Sequence, residues 1–528
     1  MTTPHRSDNA VAQVAPAALR LIDTDPAELE AGAIVIGVYS QDADAPSPLL
    51  LASGAESIAV AFDGKLTDTL LLLGASGAVG EVTKVATLGT VTAPLVTAVG
   101  LGPEPTGALP ATETLRRATA AAVRALAGTE TVALALPVGD EGDDTDALRG
   151  IVEGAALGGY RFAGYKSTPV SPRRNPAREI IVHVPDAESA AAGAEIERAA
   201  HVYAAVARTR DWVNTPANNL RPPAFAEQAA ALASAAGLDV EVLDEAQLIE
   251  KGYGGILAVG QGSEEKPRLV RIAYTPAGTG ATKKIALVGK GITFDTGGLS
   301  IKPAAGMWEM KSDMAGAAAV ISTMIAVAAL KPNVAVIAYA PMAENMVSGS
   351  AYRPGDVVRM YNGKHVEVLN TDAEGRMVLG DAMARACEDE PDFLFETSTL
   401  TGGQVIALGK RVAGVMGDAE LCERVKVAGE GVGEPVWPMP MPDDIRKSMD
   451  SDIADVLQVS SGMDRAGHML QGAVFLSNFV APDVPWAHID IAGPAYHSGE
   501  ATGHWSKGGT GVPVRTLLAL IESIASAG

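Results

Sequence analysis

The chain has 528 residues, too many for one hydrophobic core, because single cores stop growing near ~250–300 residues, so we expect two domains. Its hydrophobic fraction of 47% and charged fraction of 20% are those of a globular protein and argue against a disordered chain. The excess of 63 acidic over 41 basic residues gives a net charge of −22, which repels phosphate backbones and argues against nucleic acid as the main partner.

Cysteine content and hydropathy indicate where such a chain works. The two cysteines, Cys387 and Cys422, cannot build a disulfide framework and form no CxxC pair, which favours a reducing compartment. The N-terminal sequence MTTPHRSDNAVAQVAPAALR lacks the apolar region of a signal peptide. The longest apolar stretch, Met314 to Leu330, is Ala-rich and interrupted by a glycine and a serine, which predicts a buried core helix and no membrane span. We therefore expect a cytoplasmic protein.

The first half of the chain alternates strand-like and helix-like segments after a predicted flexible tail of residues 1–15. Apolar, β-branched runs predict strands at Ala33–Tyr39, Ser57–Phe62, Ala93–Leu101, Thr131–Pro137 and Glu179–Val184. Helical periodicity predicts helices at Thr112–Ala127 and Thr145–Gly158. Strands that alternate with helices indicate a mainly parallel sheet, so we predict a smaller N-terminal α/β domain over residues 16–188.

A long helical pattern follows and marks the predicted junction. It runs from about Ser189 to Val213 and stops at the Asn- and Pro-rich sequence NTPANNLRPP, whose residues terminate helices. We predict that residues 189–213 form a linking helix and that residues 214–528 form the second domain.

The second half repeats the α/β rhythm on a larger scale. The pattern predicts helices at Pro223–Gly237, Asp313–Leu330 and Gly375–Asp389. It predicts strands at Leu238–Leu243, Leu269–Tyr274, Lys284–Gly289, Val334–Pro341, His365–Leu369, Asp392–Thr399 and Trp486–Ala492. The glycine-rich run GEGVG at residues 429–433 follows no strand and is predicted to be a loop. The predicted fold class is a two-domain α/β protein whose larger C-terminal domain has a central mixed, mainly parallel sheet.

Charged side chains follow two of the predicted strands. The strand IALVG leads into the loop GKGITFDTGGLSIKP, which contains Lys290, Asp295 and Lys302 and lies before Asp313. The strand HVEVL leads directly into NTDAEGR, residues 370–376. Ligands of open α/β sheets bind beyond the carboxyl ends of the strands, so we expect these two strand exits to converge on one crevice.

The residue types at these exits suit divalent metal ions. Three aspartates and a glutamate in one crevice repel each other unless positive charge lies among them, and lysines and an arginine supply only part of it. Carboxylate sites without Cys or His favour Mn²⁺, Mg²⁺ or Zn²⁺. A metal pair ~3.5–4 Å apart can share a water, lower its pKa and stabilise a tetrahedral intermediate. Asp372 and Glu374, two apart on an extended segment, present both carboxylates on one face, which suits neighbouring metals.

Several segments resemble the leucine aminopeptidase family of dinuclear metallopeptidases. The family signature is similar to VGKGITFDTGGLSIKP (residues 288–303), MKSDMAGAAAV (310–320) and NTDAEGR (370–376). Further similarity lies in NTPANNLRPP (214–223), STLTGG (398–403) and WAHIDIAGPA (486–495), so the resemblance covers about residues 190–520. It implies a metal-dependent aminopeptidase acting on peptides with a free N-terminus, in a homohexamer.

The resemblance implies a set of metal ligands. Asp295 and Glu374 would bridge two divalent metals, Mn²⁺ or Zn²⁺ with Mg²⁺ as a third candidate. Lys290 and Asp313 would complete the readily exchanged metal, and Asp372 would complete the other. A lysine ligand has to lose its proton, which the adjacent metal charge would promote. The metal beside Lys290 would bind the free α-amine of the substrate. This binding would account for exopeptidase action, because only the N-terminal residue of a peptide has a free α-amine.

Two further residues have implied catalytic roles. Lys302 would polarise the scissile carbonyl and stabilise the oxyanion. Arg376 would hold a bicarbonate ion that serves as general base in the family.

The resemblance also implies a pocket for the N-terminal side chain of the substrate. Its residues are mostly small or apolar, which favours Leu, Met or a similar side chain: Met310, Thr399, Gly402 and Ala492, with backbone contacts from Leu400.

Each of these residues has an alternative structural interpretation. Asp313 before an apolar helix could be an N-cap, and Asp372 with Glu374 could form a solvated turn. Lys302 could be a surface charge, and Arg376 could form a structural ion pair with Glu374 or Asp381. The occurrence of all of them in motifs of one site favours the metal centre.

The sequence leaves two other functions open. A serine or cysteine hydrolase could use Ser398 or Cys387, although no G-x-S-x-G sequence supports it. A DNA-binding regulator is the second alternative, which the net charge of −22 disfavours.

Overall fold

The computed structural model of the protein describes residues 14–42, 47–107, 109–139, 145–167, 175–278 and 283–527. The predicted tail of residues 1–15 lies outside these ranges except for its last two residues. The chain forms two compact units. The first comprises Met1–Tyr203 and Gly499–Lys507, and the second comprises Ala204–Ser498 and Gly508–Gly528. The domain boundaries predicted from the sequence, at residues 188/189 and 213/214, differ from this division and remain predictions.

The first unit contains a seven-stranded sheet. Its strands are β1 (Ala18–Ile22), β2 (Ala33–Ser40), β3 (Leu49–Leu51), β4 (Val82–Ala86), β5 (Leu95–Pro103), β6 (Thr131–Ala135) and β7 (Glu179–His183). Its helices are α1 (Glu56–Ala61), α2 (Leu66–Leu72), α3 (Thr112–Ala125) and α4 (Asp146–Gly158). The order is β1-β7-β6-β2-β5-β4, with β3 paired to β2; the pairs β4–β5 and β2–β3 are antiparallel and the others are parallel.

Close packing of α3 on α4 depends on three glycines of α4. A Cβ atom would lie 2.4 Å from the Thr112 carbonyl oxygen at Gly150, and 2.4 Å from that of Arg116 at Gly154. The same addition at Gly158 would lie 2.6 Å from a backbone oxygen of α3. Real Cβ atoms do not approach so closely, so glycine at every fourth position lets the two helix backbones come into contact.

The strand predicted at Ser57–Phe62 is wrong, because these residues form most of the helix α1. A strand would place Ile58 and Val60 on the same face, but Ile58 is fully buried while Val60 is 79% exposed. A short apolar run does not distinguish the two structures by periodicity, and here tertiary packing decides.

A single long helix, α5 (Ala190–Asn214), contributes to both units. It lies within one residue of the predicted helix at each end. At its C-terminus the Asn214 side chain accepts a hydrogen bond from the Gly509 N–H (2.9 Å), and its carbonyl oxygen accepts one from Lys311 Nζ (2.7 Å).

The second unit contains ten helices that begin after α5, as counted over the described residues. They are α6 (Pro222–Ala235), α7 (Glu245–Lys251), α8 (Gly254–Gly260), α9 (Ala315–Leu330), α10 (Gly375–Cys387), α11 (Gly402–Leu408), α12 (Ala419–Gly431), α13 (Asp443–Lys447), α14 (His468–Leu476) and α15 (Val514–Ser526). Its strands are β8 (Asp239–Leu243), β9 (Arg268–Tyr274), β10 (Lys284–Gly289), β11 (Gly291–Asp295), β12 (Ala335–Asn345), β13 (Val357–Arg359), β14 (His365–Glu367), β15 (Phe393–Ser398), β16 (Ala413–Gly417), β17 (Val436–Pro438), β18 (Val456–Leu457), β19 (Trp486–Asp490), β20 (Tyr496–His497) and β21 (Gly508–Gly509).

The central sheet of this unit has the order β17-β16-β19-β15-β10-β12-β9-β8, with β11 paired to β12. The pairs β16–β19, β12–β9 and β9–β8 are antiparallel, and the others are parallel. The predicted fold class, two α/β domains with a mixed and mainly parallel sheet in the larger one, is confirmed. The parallel strand β10 is buried from Ile285 to Gly289, which explains why IALVG is an unbroken apolar run.

Two local predictions in this unit are wrong. The strand HVEVL does not join the central sheet: its first three residues form β14 in a separate sheet ordered β13-β14-β18. Residues 429–431 of the predicted loop GEGVG end the helix α12. The helix predicted at Asp313–Leu330 is α9, which begins two residues later at Ala315. The alternative interpretation of Asp313 as an N-cap does not hold, because Asp313 follows a 3-10 helix, Met307–Ser312, and Met314 is the N-cap of α9.

The apolar segment Met307–Leu330 passes the length and composition criteria for a membrane span, with a mean hydropathy of 1.8. However, 78% of its most apolar window is buried inside the protein. The prediction of a buried core helix is confirmed.

Candidate functional site

The charged residues of the two motifs meet at the carboxyl ends of β10 and β11. Lys290 follows β10 directly and Asp295 is the last residue of β11. Two glycines make room for the lysine. A Cβ atom at Gly375 would lie 2.6 Å from Lys290 Nζ, and one at Gly316 would lie 2.9 Å from its backbone nitrogen. With Lys290 in this position, Gly375 of NTDAEGR and Gly316 of MKSDMAGAAAV have no room for a Cβ atom.

Each of the two lysines bridges a pair of carboxylates. Lys290 Nζ lies 2.8 Å from Asp313 Oδ2 and 2.8 Å from Glu374 Oε1. Lys302 Nζ lies 2.7 Å from Asp295 Oδ2 and 2.6 Å from an oxygen of the fourth carboxylate, Asp372. The structure thus brings together all six residues that the sequence predicts as metal ligands or as the carbonyl-polarising lysine.

The donor set fits divalent cations. Oxygens of Asp295, Asp372 and Glu374 lie within 4.8 Å of one another. The four carboxylates outnumber the two ammonium groups, so the fully ionised cluster has an excess of two negative charges in mostly buried surroundings. In addition, the buried Oε2 atom of Glu374 has no hydrogen-bond partner among the described residues. Buried charge and unpaired oxygens of this kind favour bound metal.

The electrostatics of the lysines reflect this excess of negative charge. Burial alone would lower the pKa of Lys290, but the carboxylates of Asp313 and Glu374 outweigh it and raise the pKa above its ordinary value. Burial likewise opposes the charge of Lys302, and Asp295 and Glu374 reverse the effect and raise its pKa. Both lysines are therefore ammonium ions while no other cation is bound.

The carboxylates respond differently to their surroundings. Burial and the Asp295 carboxylate raise the pKa of Asp372 to about 6. Burial also raises the pKa values of Asp313 and Asp295. It opposes ionisation of Glu374 too, but the ammonium groups of the two lysines dominate and lower the pKa of Glu374. Glu374 is therefore the carboxylate that stays ionised at acidic pH.

Lowering the pH from 7 to 5 is expected to weaken divalent-metal binding to Asp295, Asp372 and Glu374 by about tenfold. Asp372, with a pKa of about 6 in the metal-free protein, is mostly ionised at the higher pH and mostly protonated at the lower one. A cation binds the carboxylate, so affinity falls as the pH falls through this value. Mn²⁺ titrations in buffers of different ionisation enthalpy measure affinity and released protons, and a flat affinity over this range would contradict the prediction.

Arg376 lies in a buried position beside this cluster. Its Nη1 donates a hydrogen bond to the Gln458 carbonyl oxygen (2.7 Å), and its guanidinium lies 5.8 Å from the ring centre of Phe475. Burial lowers its pKa to about 10. Within the described residues it forms no ion pair, and its buried Nε has no partner. The alternative ion pair with Asp381 is absent, since that carboxylate accepts the N–H groups of Ile256 and Tyr361.

The predicted pocket residues lie on segments that are tied to the same cluster. The Thr399 hydroxyl donates to Asp313 Oδ1 (2.7 Å), and the Thr399 carbonyl oxygen accepts from Lys290 Nζ (3.1 Å). Met310 lies in the 3-10 helix Met307–Ser312, directly before Asp313. Its carbonyl oxygen accepts a hydrogen bond from the Asp313 N–H (3.2 Å). Gly402 begins α11 at an exposed position where an added Cβ would meet open space.

Asp490 is a site residue that the sequence analysis missed. Its fully buried carboxylate accepts the N–H groups of Leu400 and Ala492 (3.1 Å each) and the Thr401 hydroxyl (2.7 Å). It therefore joins the two segments that contain the predicted pocket residues. It ends β19, and the rule that sites lie at strand ends could have found it.

Asn345 is a second missed residue. It ends β12, the strand next to β10, and is 1% exposed. Its Nδ2 donates to Asp295 Oδ1 (2.8 Å) and to the Thr371 carbonyl oxygen (3.0 Å), so it orients a predicted ligand and the NTDAEGR segment.

Replacing Asn345 with alanine is expected to lower divalent-metal affinity about 10–100-fold, the usual effect of losing a residue that orients a metal ligand. Metal titration of the purified protein measures the change. The exposed Asn362, in the turn between β13 and β14, is a matched control whose replacement leaves affinity unchanged. Equal affinities for Asn345→Ala and the wild type would contradict the role.

The alternative nucleophiles are poorly placed for covalent catalysis. The hydroxyl of Ser398 is buried and has no hydrogen-bond partner in the described part of the chain, so no base activates it. Burial raises the pKa of the Cys387 thiol, which makes it a weak nucleophile.

The chain is similar to known proteins along most of its length. Two family models match it: "Cytosol aminopeptidase family, N-terminal domain" over residues 35–169, and "Cytosol aminopeptidase family, catalytic domain" over residues 207–518. A probable cytosol aminopeptidase of Rhodococcus jostii is 49% identical over 466 residues, which cover 88% of this chain and 90% of the relative. One of Streptomyces coelicolor is 48% identical over 518 residues, 95% of this chain and 97% of the relative.

Two solved structures are similar in fold. A mutant of tomato leucine aminopeptidase has a TM-score of 0.83 at 29% identity and covers 97% of both chains. The bottromycin maturation enzyme BotP in complex with Mn has a TM-score of 0.80 at 35% identity, covering 94% of this chain and 100% of that one.

Proposed function

The chain belongs to the cytosol aminopeptidase family of peptidases, and from this premise we propose that it is a metal-dependent enzyme that releases the N-terminal residue, preferably Leu or another apolar residue, from peptides with a free N-terminus. The observation that carries the proposal is the group formed by the buried Asp295 and Glu374 and the half-buried Asp372, whose oxygens lie within 4.8 Å of one another among two lysines.

The family is metal-dependent, and the residues of this chain fit two divalent ions, Mn²⁺ or Zn²⁺ with Mg²⁺ as a third candidate. Asp295 and Glu374 would bridge the pair, Lys290 and Asp313 would complete one ion, and Asp372 the other. When bound, such ions act as Lewis acids and supply a water of lowered pKa as nucleophile.

The two lysines differ in a way that suits different roles. The Lys290 side chain is 3% exposed and lies between Asp313 and Glu374, as expected of a ligand. The Lys302 side chain is 22% exposed and can reach a bound substrate. Lys302 is therefore the group that donates a hydrogen bond to the scissile carbonyl oxygen and stabilises the negative charge that develops there.

Arg376 would hold a bicarbonate ion as the general base. Its guanidinium is a buried cation without an ion pair among the described residues, and its Nε lacks a partner, so a small anion would satisfy both. The NTDAEGR motif, which contains Arg376, offers no histidine for the same task. Arg376 would orient such an anion, because Gln458 and Phe475 hold the guanidinium in place.

Substrate selection is proposed to occur at Met310, Thr399, Leu400, Gly402 and Ala492. These residues are small or apolar. The Asp490 carboxylate accepts the N–H groups of both Leu400 and Ala492, which fixes their two segments relative to each other and supports a rigid pocket. An unbranched or γ-branched apolar side chain such as Met or Leu suits these surroundings.

The cellular setting is proposed from relatives. The curated relatives are named cytosol aminopeptidases, which supports a cytoplasmic location. The family resemblance supports a homohexamer, and light scattering of the purified full chain would measure the number of subunits.

A release assay tests the proposal. The full chain is incubated with a panel of aminoacyl amides, with and without a chelator, and with an N-terminally acetylated peptide as the blocked control. Release is expected to be fastest for Leu and Met, to be lost with the chelator, to return on addition of Mn²⁺, and to be absent for the acetylated peptide. Cleavage of the blocked peptide or full activity in chelator would overturn the proposal.

A further inference from the structure

The first unit contains a cavity of about 340 Å³ that is separate from the metal cluster. It is a partly open cavity lined by residues before and within β4, by one face of α3, and by Ala501, Thr502 and Gly503. Val82, Ala121 and Ala125 provide an apolar wall, and Arg117 and Arg124 provide two guanidinium groups. The volume is within the range of small-molecule sites, which begins at ~300 Å³.

The two arginines have no acidic partner. Within the described residues neither guanidinium forms an ion pair, although Arg124 donates a hydrogen bond from Nη2 to the Gly503 carbonyl oxygen. Neighbouring arginines of the same unit are paired. Arg116 lies 2.6 Å from a Glu113 oxygen and 2.8 Å from one of Glu153. In a chain with 63 acidic residues, two arginines that line one cavity and have no acidic partner among the described residues favour binding of an anion.

The surroundings of Arg124 strengthen this point. Burial lowers its pKa, and no carboxylate counteracts the effect. A guanidinium stays protonated even so, which means that the charge is partly desolvated with the Gly503 carbonyl oxygen, and no carboxylate, as its hydrogen-bond acceptor. The loop that contains Gly503 packs closely on the Arg117 side chain. A Cβ atom added at Gly503, where φ is +54°, would lie 3.2 Å from Arg117 Cγ. Glycine at this position thus lets the loop pack on Arg117.

We propose that this cavity binds a small carboxylate anion with a short apolar chain. The carboxylate pairs with the guanidiniums of Arg124 and Arg117, which match its planar, two-oxygen geometry. The apolar chain lies against Val82, Ala121 and Ala125. The site goes beyond the proposed peptidase function, because its residues all lie in the first unit and none is a predicted ligand or pocket residue of the second.

The test is calorimetric titration of the full chain with isobutyrate, acetate and inorganic phosphate at constant ionic strength, so that general charge screening does not differ between ligands. Isobutyrate is expected to bind one site per chain, and at least about threefold more tightly than acetate because of the additional buried methyl groups. Phosphate, which has no apolar part, is expected to bind more weakly than isobutyrate.

Variants locate the binding. Arg124→Ala and Arg117→Ala are each expected to weaken isobutyrate binding about tenfold or more, since each removes a charge-assisted hydrogen bond. Ala121→Leu, which fills the cavity and leaves both charges, is expected to weaken isobutyrate more than acetate. Arg178→Ala is the matched control, because this arginine of the same unit is 83% exposed and paired with Glu130.

Each outcome decides the question. No binding of isobutyrate by the wild type, or equal weakening by the Arg178 control, would overturn the site. Phosphate binding as tight as that of isobutyrate would overturn the carboxylate assignment. If Arg124→Ala does not fold, as judged by circular dichroism, Arg117→Ala decides, because Arg117 is exposed and unpaired in the described structure.

Discussion

Replacing Glu374 with alanine is expected to reduce kcat/KM by more than about 10³-fold, beyond the loss of a single oxyanion donor. One oxygen of Glu374 lies 2.8 Å from Lys290 Nζ, and the other is buried and unpaired within the described residues. Removing this carboxylate takes away the proposed bridge between two metals, so metal content measured by elemental analysis is expected to fall together with the release of Leu from leucine amide.

Two controls separate charge from volume. Glu374→Gln keeps the side-chain size at a position that is 1% exposed but removes the negative charge, and it is expected to behave like the alanine variant. Glu388→Ala, at the C-terminal end of α10 with a side chain 56% exposed, is expected to leave activity and metal content unchanged. Full activity of Glu374→Ala would contradict the proposed centre.

Replacing Lys302 with alanine is expected to lower kcat about 10²–10³-fold with little change in KM, because the ammonium group is proposed to act on charge that develops in the transition state. Metal content is expected to stay at the wild-type level or rise. Lys302 Nζ lies 2.7 Å from Asp295 and 2.6 Å from Asp372, so its charge competes with cations for the same two carboxylates. Steady-state kinetics and metal analysis on the same preparation measure both effects.

The split between kcat and metal content distinguishes a catalytic lysine from a ligand. Loss of metal from Lys302→Ala would reassign this lysine to the ligand set, and unchanged kcat would remove it from the mechanism. The exposed Lys447 in α13 is a suitable control, since its replacement removes one positive charge at a surface position. Lys290→Ala, by contrast, is expected to lose metal, because its amine lies between two proposed ligands.

Much of the fold follows from hydrophobic patterning. The strand β10 begins and ends at the predicted residues, Lys284 and Gly289. The helix α5 begins and ends one residue later than the predicted helix 189–213. These segments are long or bounded by turn residues, so local sequence and tertiary packing agree. Prediction failed at residues 57–62, where a short apolar run is compatible with either structure and tertiary packing, which buries Ile58 and exposes Val60, decides for the helix.

The assembly of the site depended on more than strand exits. β10 belongs to the central sheet, whereas β14 belongs to a separate three-stranded sheet, so a shared sheet edge does not explain why Lys290 meets Glu374. Contact is possible because Gly375 leaves room for the lysine side chain. Asp313 likewise joins the cluster from the end of a 3-10 helix and does not act as a helix cap.

The sequence by itself determined the residue types of the candidate site, the α/β class and the family, since these depend on local motifs and periodicity. Only the tertiary structure showed how charges are partnered. It joined Asn345 to Asp295 and Asp490 to Leu400 and Ala492, and it left Arg117 and Arg124 without an acid among the described residues. The physical reason is that burial and pairing arise between residues far apart in the chain, where no local pattern records which charges meet.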